Sequence, residues 1–335
     1  MRKFLVALLV PISFTVFSQR NIDRMLEGLY QVDTLPSGLL MGKTFVLVNT
    51  PDQGQEEWDK VTGVIHQNMV KAGIDAVGYY RFDSFFAGAE VSRSFALDMK
   101  QREIKTIVLV KHTESSSTVA VVVPSYNDEI IEKDQPAWVR TGKLKEIMNG
   151  LYVSAANSKL ERTNFLINDV PERGIMTKPI KGRRATFFSI VLNKNKLAVP
   201  KMPTEQENNE LVALLGQVYP YSYELVEPGM TELELVREGY QFILHYVTAP
   251  LLTTREILGY KNDEGVNAYM SAVRVAEEPE MKMIRANEVV FKYYIKHVRT
   301  GTTYLGNEWD ADTTWKDALR NHINSLISQT KNSAN

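Results

Sequence analysis

Asp83, Glu90, His112, His245, Asp310 and Asp312 are the side chains of this 335-residue sequence whose types and settings could do chemistry. The stretch "FDSFFAGAEVS" places Asp83, Ser84 and Glu90 between a strand end and a helix start, where α/β folds put ligand sites. His112 ends a predicted strand; His245 and His297 lie within two others. Asp83, Glu90, His112 and His245 would make an acid–base site if the fold gathered them at a domain junction, a common place for ligands. "WDADTTW" offers Asp310 and Asp312 as candidate ligands for Mg²⁺ or Ca²⁺, a use that needs further oxygens nearby. Without a glycine at the sixth position or a glutamate at the twelfth of a calcium loop, the simpler reading is a turn with Asp312 or Thr313 capping a helix. No HxxxH or HxH spacing offers a metal site, and GxSxG, Walker A and GxGxxG loops are absent. No cofactor is expected, and the balance of residues favours binding over catalysis.

The elements that would position these side chains follow an address. "MRKFLVALLVPISFTVFSQ" has a positive start at Arg2 and Lys3, an apolar run from Phe4 to Phe17, and small residues at Val16 and Ser18. That pattern predicts a signal peptide over residues 1–18, cut before Gln19. Its fourteen residues would span ~21 Å as a helix, short of a ~30 Å hydrocarbon core. No other stretch is long and apolar enough to span, so the mature chain is expected without a transmembrane segment, in the periplasm or secreted. The absence of cysteine excludes disulfides, thiolate metal sites and a cysteine nucleophile. Cohesion must come from burial, and 44% hydrophobic residues supply it. With 39 basic and 40 acidic residues the chain lacks the basic excess of a nucleic-acid binder. The sharpest basic cluster, Lys178, Lys181, Arg183 and Arg184, reads as a solvated connector.

Hydrophobic patterning predicts two tandem, diverged β-α-β-α-β-β domains of the α/β (α+β) class, each a mixed sheet with packed helices. In residues 43–170, "KTFVLVNT" reads as a buried strand, and Val61, Val64, Ile65, Met69 and Ala72 stripe the next helix. "DAVGYYRF", a helix, and a hairpin over 105–112 and 117–124 follow. After a polar gap, Leu144, Ile147, Met148 and Leu151 stripe a closing helix. In residues 195–328, Thr204 and Thr231 each precede a glutamate three residues on, the signature of a capping box. The strand "FKYYIKHV" alternates Phe291, Tyr293 and Ile295 with Lys292, Tyr294 and Lys296, so the Tyr/Lys face is expected to meet solvent or a partner. Residues 19–42 read as an arm, 171–194 as a linker, 329–335 as a polar tail, and 250–287 as an insertion able to add a strand.

The plan of "KTFVLVNT", a striped helix, "AGIDAV", "IKTIVLVKH" and "STVAVVVPSYND" resembles small envelope α/β domains. Those occur in curli-secretion pore proteins, in outer-membrane lipoprotein activators of penicillin-binding proteins, and at the amino end of the Tol-system propeller protein. "FKYYIKHVRTGTTYLGNEWDADTTWKDALRNHI" is similar to their closing hairpin and helix. The likeness is one of element pattern, and this chain lacks the lipidated cysteine of many such proteins. It implies a non-enzymatic domain that binds other envelope proteins; a homo-oligomer stays open. The alternative is an exported enzyme or small-ligand-binding protein with its site between the domains.

Overall fold

The structure, a computed structural model, describes residues 22–50, 54–174, 178–263, 265–275 and 278–332. The segment read as a signal peptide, 1–18, lies outside these residues. The first half runs α1 (Ile22–Glu27), β1 (Tyr30–Val32), β2 (Lys43–Asn49), α2 (Gln55–Ala72), β3 (Asp75–Arg81), α3 (Phe82–Phe85), α4 (Ala89–Gln101), β4 (Ile104–His112), β5 (Ser117–Val122), β6 (Pro136–Gly142), α5 (Leu144–Asn157) and β7 (Glu172–Arg173). Its strands form one sheet ordered β1-β6-β5-β4-β2-β3-β7. The β2, β3 and β4 strands are parallel, and β5 returns antiparallel to β4. Near-continuous apolar runs such as "TFVLV" suit strands covered on both faces, and Phe45, Val46 and Leu47 are fully buried. One face packs on α2 and α5, through Trp58, Ile65, Met69, Ile147 and Leu151. The other packs on α3 and α4, through Phe82, Phe85, Val91, Phe95 and Met99. The α2 helix stops at Gly73, whose φ of +79° gives the left-handed turn that a glycine accepts at no steric cost.

The second half runs β8 (Arg184–Ala185), β9 (Leu197–Pro200), α6 (Glu205–Val218), β10 (Tyr223–Val226), α7 (Glu232–Arg237), β11 (Phe242–Pro250), α8 (Leu251–Ile257), β12 (Ala268–Val275), β13 (Glu278–Arg285), β14 (Val289–His297), β15 (Thr303–Tyr304) and α9 (Trp315–Asn332). Its main sheet is ordered β10-β9-β11-β14-β15-β8. Here β9 is parallel to β10 and β11, and β14 is antiparallel to β11. The connectivity thus corresponds, strand for strand, to β3-β2-β4-β5-β6 of the first sheet. Both capping boxes are formed: Thr204 with Glu207 at α6, and Thr231 with Glu234 at α7. The α/β class with mixed sheets and packed helices is therefore observed.

The layers stack as α2/α5, first sheet, α3/α4, second sheet, α6/α9. One apolar cluster holds α4 and the first sheet together with Val247, Ala249 and Tyr294 of the second. A third cluster joins the far face of the second sheet to α6 and α9 through Leu211, Leu215, Tyr293, Trp315 and Leu319. Each such side chain contributes roughly 1.5–3 kcal/mol when fully buried. This stacking corrects the expectation for the Tyr/Lys face of "FKYYIKHV". Tyr294 is wholly buried and Lys296 nearly so because the first half of the same chain covers them, whereas Lys292, also wholly buried, reaches Asp310 and the Leu305 carbonyl within the second half.

Several boundaries also move. Residues 22–42 are more than an arm: β1 adds an edge strand, parallel to β6. The polar gap before α5 contains β6, whose "PAWVRTG" carries too few apolar residues to announce a strand. The linker over 171–194 gives β7 to the first sheet and β8 to the second. The strand expected in "GVNAYMSAVRV" is half of a separate β12–β13 hairpin. The α9 helix continues to Asn332, into the segment read as a tail, since no glycine or proline interrupts it. Thr314, rather than Asp312 or Thr313, caps it, with the Thr314 hydroxyl accepting from Asp317 N–H at 3.2 Å.

Candidate functional site

The start of α4 lies directly against β11 of the second sheet. Gly88 has φ +139°, and a Cβ there would lie 2.6 Å from the Tyr246 carbonyl oxygen. Thr248 N–H donates to the Ala87 carbonyl at 2.8 Å, so the segment before α4 is hydrogen-bonded to β11. This approach sets Glu90, in the first turn of α4, against β11 and β14. The Glu90 carboxylate accepts from Tyr294 Oη at 2.6 Å and from Lys296 Nζ at 2.6 Å. Lys296 also donates to Glu232 of α7 at 2.8 Å, and His245 Nε2 lies 3.7 Å from Glu90 Oε2.

The electrostatics of this group are mutual. Burial acts to raise the Glu90 pKa, but His245, Lys296 and Tyr294 together hold it below the usual carboxylate range. Burial depresses His245 and outweighs the pull of Glu90, leaving a neutral imidazole near neutrality. Burial also opposes the charge on Lys296, yet Glu90 and Glu232 raise its pKa overall. An ionised carboxylate and an ammonium are therefore paired at the seam, with a neutral imidazole beside them. The group works as a clasp, and Arg93 extends it. Its guanidinium binds both Asp128 carboxylate oxygens and donates to the carbonyls of Gly229 and Met230.

Of the four residues considered for acid–base work, the fold brings Glu90 and His245 together. Asp83 lies elsewhere, lining a cavity of about 230 Å³ with Asn49, Lys111 and Thr248. His112 ends β4 beside Lys111, and its Nδ1 is 2.8 Å from Ser117 Oγ across the hairpin. Asp310 and Asp312 are each held by a lysine. Lys282 Nζ lies 2.5 Å from Asp312 Oδ1, and Asp312 also accepts from Thr313 N–H. Asp310 is wholly buried, with Lys292 Nζ at 2.7 Å and His322 Nδ1 at 3.1 Å. Burial acts against the Asp310 charge, but Lys292 and His322 outweigh it and lower the pKa; His322, lowered first by burial, stays neutral. Side chains with essentially no exposed surface cannot meet a substrate, so this triad is structural. Among the described residues no group of three His, Asp or Glu side chains is arranged to hold a metal ion.

Sequence reasoning missed Lys292, Lys296, Tyr294, His322 and Lys111 as partners of these acids. One signal was available: a lysine inside an otherwise apolar strand must reach a buried acceptor or counter-ion. Comparison with protein-family models, with curated proteins and with solved structures returns no match to this chain.

Proposed function

We propose that this chain is an exported, non-enzymatic cell-envelope protein that acts by binding other proteins, built from one α/β plan used twice. The observation that carries the reading is the loop after α5. Phe165, Leu166 and Val170 are 88%, 91% and 85% exposed, the most exposed large apolar side chains among the described residues. Their loop is braced at its base. Thr163 and Asn164 N–H both donate to the Leu40 carbonyl, and the Asn164 side chain donates to the carbonyls of Gly42 and Gly73. Asn168 N–H binds Asp75 Oδ1 at 3.0 Å. Apolar side chains held outward on a fixed base suit contact with a partner, where such anchors supply most of the binding energy. The Glu90 carboxylate, which could have done acid–base chemistry at the seam, is occupied by Tyr294 and Lys296, which supports binding over catalysis. The signal-peptide pattern and the resemblance to small envelope domains support the location, and the matched connectivity of the two sheets supports the duplication.

The test uses the full chain expressed in its own cells, with crosslinking in intact envelopes before isolation. Wild type is expected to retain a defined set of envelope proteins, and the Phe165→Ser, Leu166→Ser double variant to lose it without a change in thermal stability. Equal capture by both, or recovery of the chain in the cytoplasm with its amino-terminal segment intact, would overturn the proposal.

A further inference from the structure

We infer that the outer face of the β12–β13 hairpin is a binding site for a soft monovalent metal ion, Cu(I) or its analogue Ag(I), held by the thioethers of Met270, Met281 and Met283. The inference is independent of the protein-binding reading and goes beyond it. Its first ground is register. Met270 pairs directly with Met283 across the two strands, and Met281 pairs with Ala272. Directly opposed residues share a face, and so do residues two apart on one strand, so the three methionines stand together. All three are exposed, at 48%, 61% and 70%. Three of the four exposed methionines among the described residues are thus gathered on one small hairpin, Met41 being the fourth.

The second ground is that the face is fixed outward. On the opposite face the Ser271 hydroxyl donates to the Ala311 carbonyl at 2.5 Å, Lys282 Nζ meets Asp312, and Ile284 is wholly buried. Ala272 N–H also donates to the Trp309 carbonyl at 2.7 Å. A slip of one residue would exchange the faces, and these contacts pin the register against it. The stretch "EMKMIR" therefore reverses the usual alternation, with its lysine on the packed side and its methionines toward solvent. A solvated sheet face ordinarily carries polar side chains, so the methionines call for a cause of their own.

The third ground is donor chemistry. Cβ atoms lie about 5 Å apart in a directly opposed pair and about 7 Å apart between residues two along a strand. Each sulfur sits two bonds beyond its Cβ on an unbranched, rotatable stem, so all three can meet one ion above the face. Ala272, opposite Met281, leaves the space between them open. Thioethers are soft, neutral donors, and such ligands select Cu(I). Among the described residues of the hairpin this face carries no carboxylate or imidazole, since Glu280 pairs with Val273 on the packed side. Zn²⁺, Mg²⁺ and Ca²⁺, which take thiolate, imidazole or oxygen ligands, are therefore unmatched. Arg285 lies two residues beyond Met283 on the same face, and its charge opposes a divalent ion more than a monovalent one. An apolar partner would be met as well by leucine or valine; sulfur at all three positions favours the metal.

The experiment titrates the full chain, labelled with ¹³C at its methionine methyl groups, with silver nitrate in chloride-free buffer, followed by NMR and calorimetry. The chain has no cysteine, so no stronger sulfur donor competes. One equivalent of Ag(I) is expected to shift the methyl signals of Met270, Met281 and Met283 together and to leave that of Met41 in place. Cu(I), kept free of oxygen, should shift the same three signals, and Zn²⁺ none of them. Met281→Leu or Met283→Leu, each of which conserves volume, should weaken binding by about tenfold or more, and the double variant by about a hundredfold or more. Should a variant fail to fold, the methyl shifts of the wild type decide. Failure of Ag(I) or Cu(I) to move the three signals, an equal response of Met41, equal shifts with Zn²⁺, or unchanged affinity in a folded double variant would overturn the assignment. Because none of these readouts involves Phe165 or Leu166, the two proposals stand or fall separately.

Discussion

Asp310→Asn tests how much the buried charge triad contributes. The substitution keeps the shape of the side chain and removes its charge, leaving the Lys292 ammonium with no exposed surface and no counter-ion. At 2.7 Å the lost attraction is roughly 6 kcal/mol for an effective dielectric of 20. The Leu305 carbonyl still accepts from Lys292 at 2.7 Å and recovers part of this. The expected net cost is about 3–5 kcal/mol, the usual result of breaking a buried pair from one side. With a urea slope near 3 kcal/mol per molar, the unfolding midpoint should fall by about 1–1.7 M. Adding Lys292→Met removes the stranded charge and should bring the midpoint back to within about 1 kcal/mol of wild type. The loss in the single variant should also shrink as pH rises, because an unpaired buried lysine sheds its proton readily. A shift below about 0.3 M in the single variant would refute the reasoning, and so would a double variant less stable than the single.

Two further outcomes follow from the seam and the buried imidazoles. Burial lowers the pKa of His66, His245 and His322, so the unfolded chain takes up protons near pH 6.5 while the folded chain does not. Stability present above that pH is then lost as pH falls, by up to ~1.4 kcal/mol per pH unit for each histidine, and urea midpoints at about pH 7.5 and 5.5 will measure it. Glu90 and Asp310, both lowered, add a second loss below about pH 4; a flat profile across both windows would contradict the burial of these groups. Gly88→Ala would drive a methyl group against the Tyr246 carbonyl, at a cost of about 2–4 kcal/mol in thermal unfolding, and an unchanged melting temperature would rule out the close approach.

Much of the fold was legible because burial writes itself into apolar spacing. The stripe of Val61, Ile65, Met69 and Ala72 and the run "TFVLV" are signals of that kind, and both capping boxes follow from local hydrogen bonding. What stayed hidden depends on contacts distant in sequence. The β6 strand is held by β5 and β1 on its two sides rather than by its own propensity. Lys292 and Lys296 look like the solvated face of a strand until Lys292 is seen to reach Asp310 and Lys296 to reach Glu90 of the first half. Glu90 finds Tyr294 and Lys296 across more than 200 residues, which no local spacing can announce. Asp83 was legible through its place after a strand, whereas the cavity it lines also needs Asp23 and Thr248 from elements far away in the chain.

The segment joining the two halves adds β7 beside β3 at one rim of the first sheet and β8 beside β15 at one rim of the second. Unpaired rims of this kind offer rows of N–H and C=O groups on which a foreign strand can assemble. A single stretch of chain therefore screens two such rims at once. Removing that stretch would uncover both together, leaving each rim open to the addition of a foreign strand.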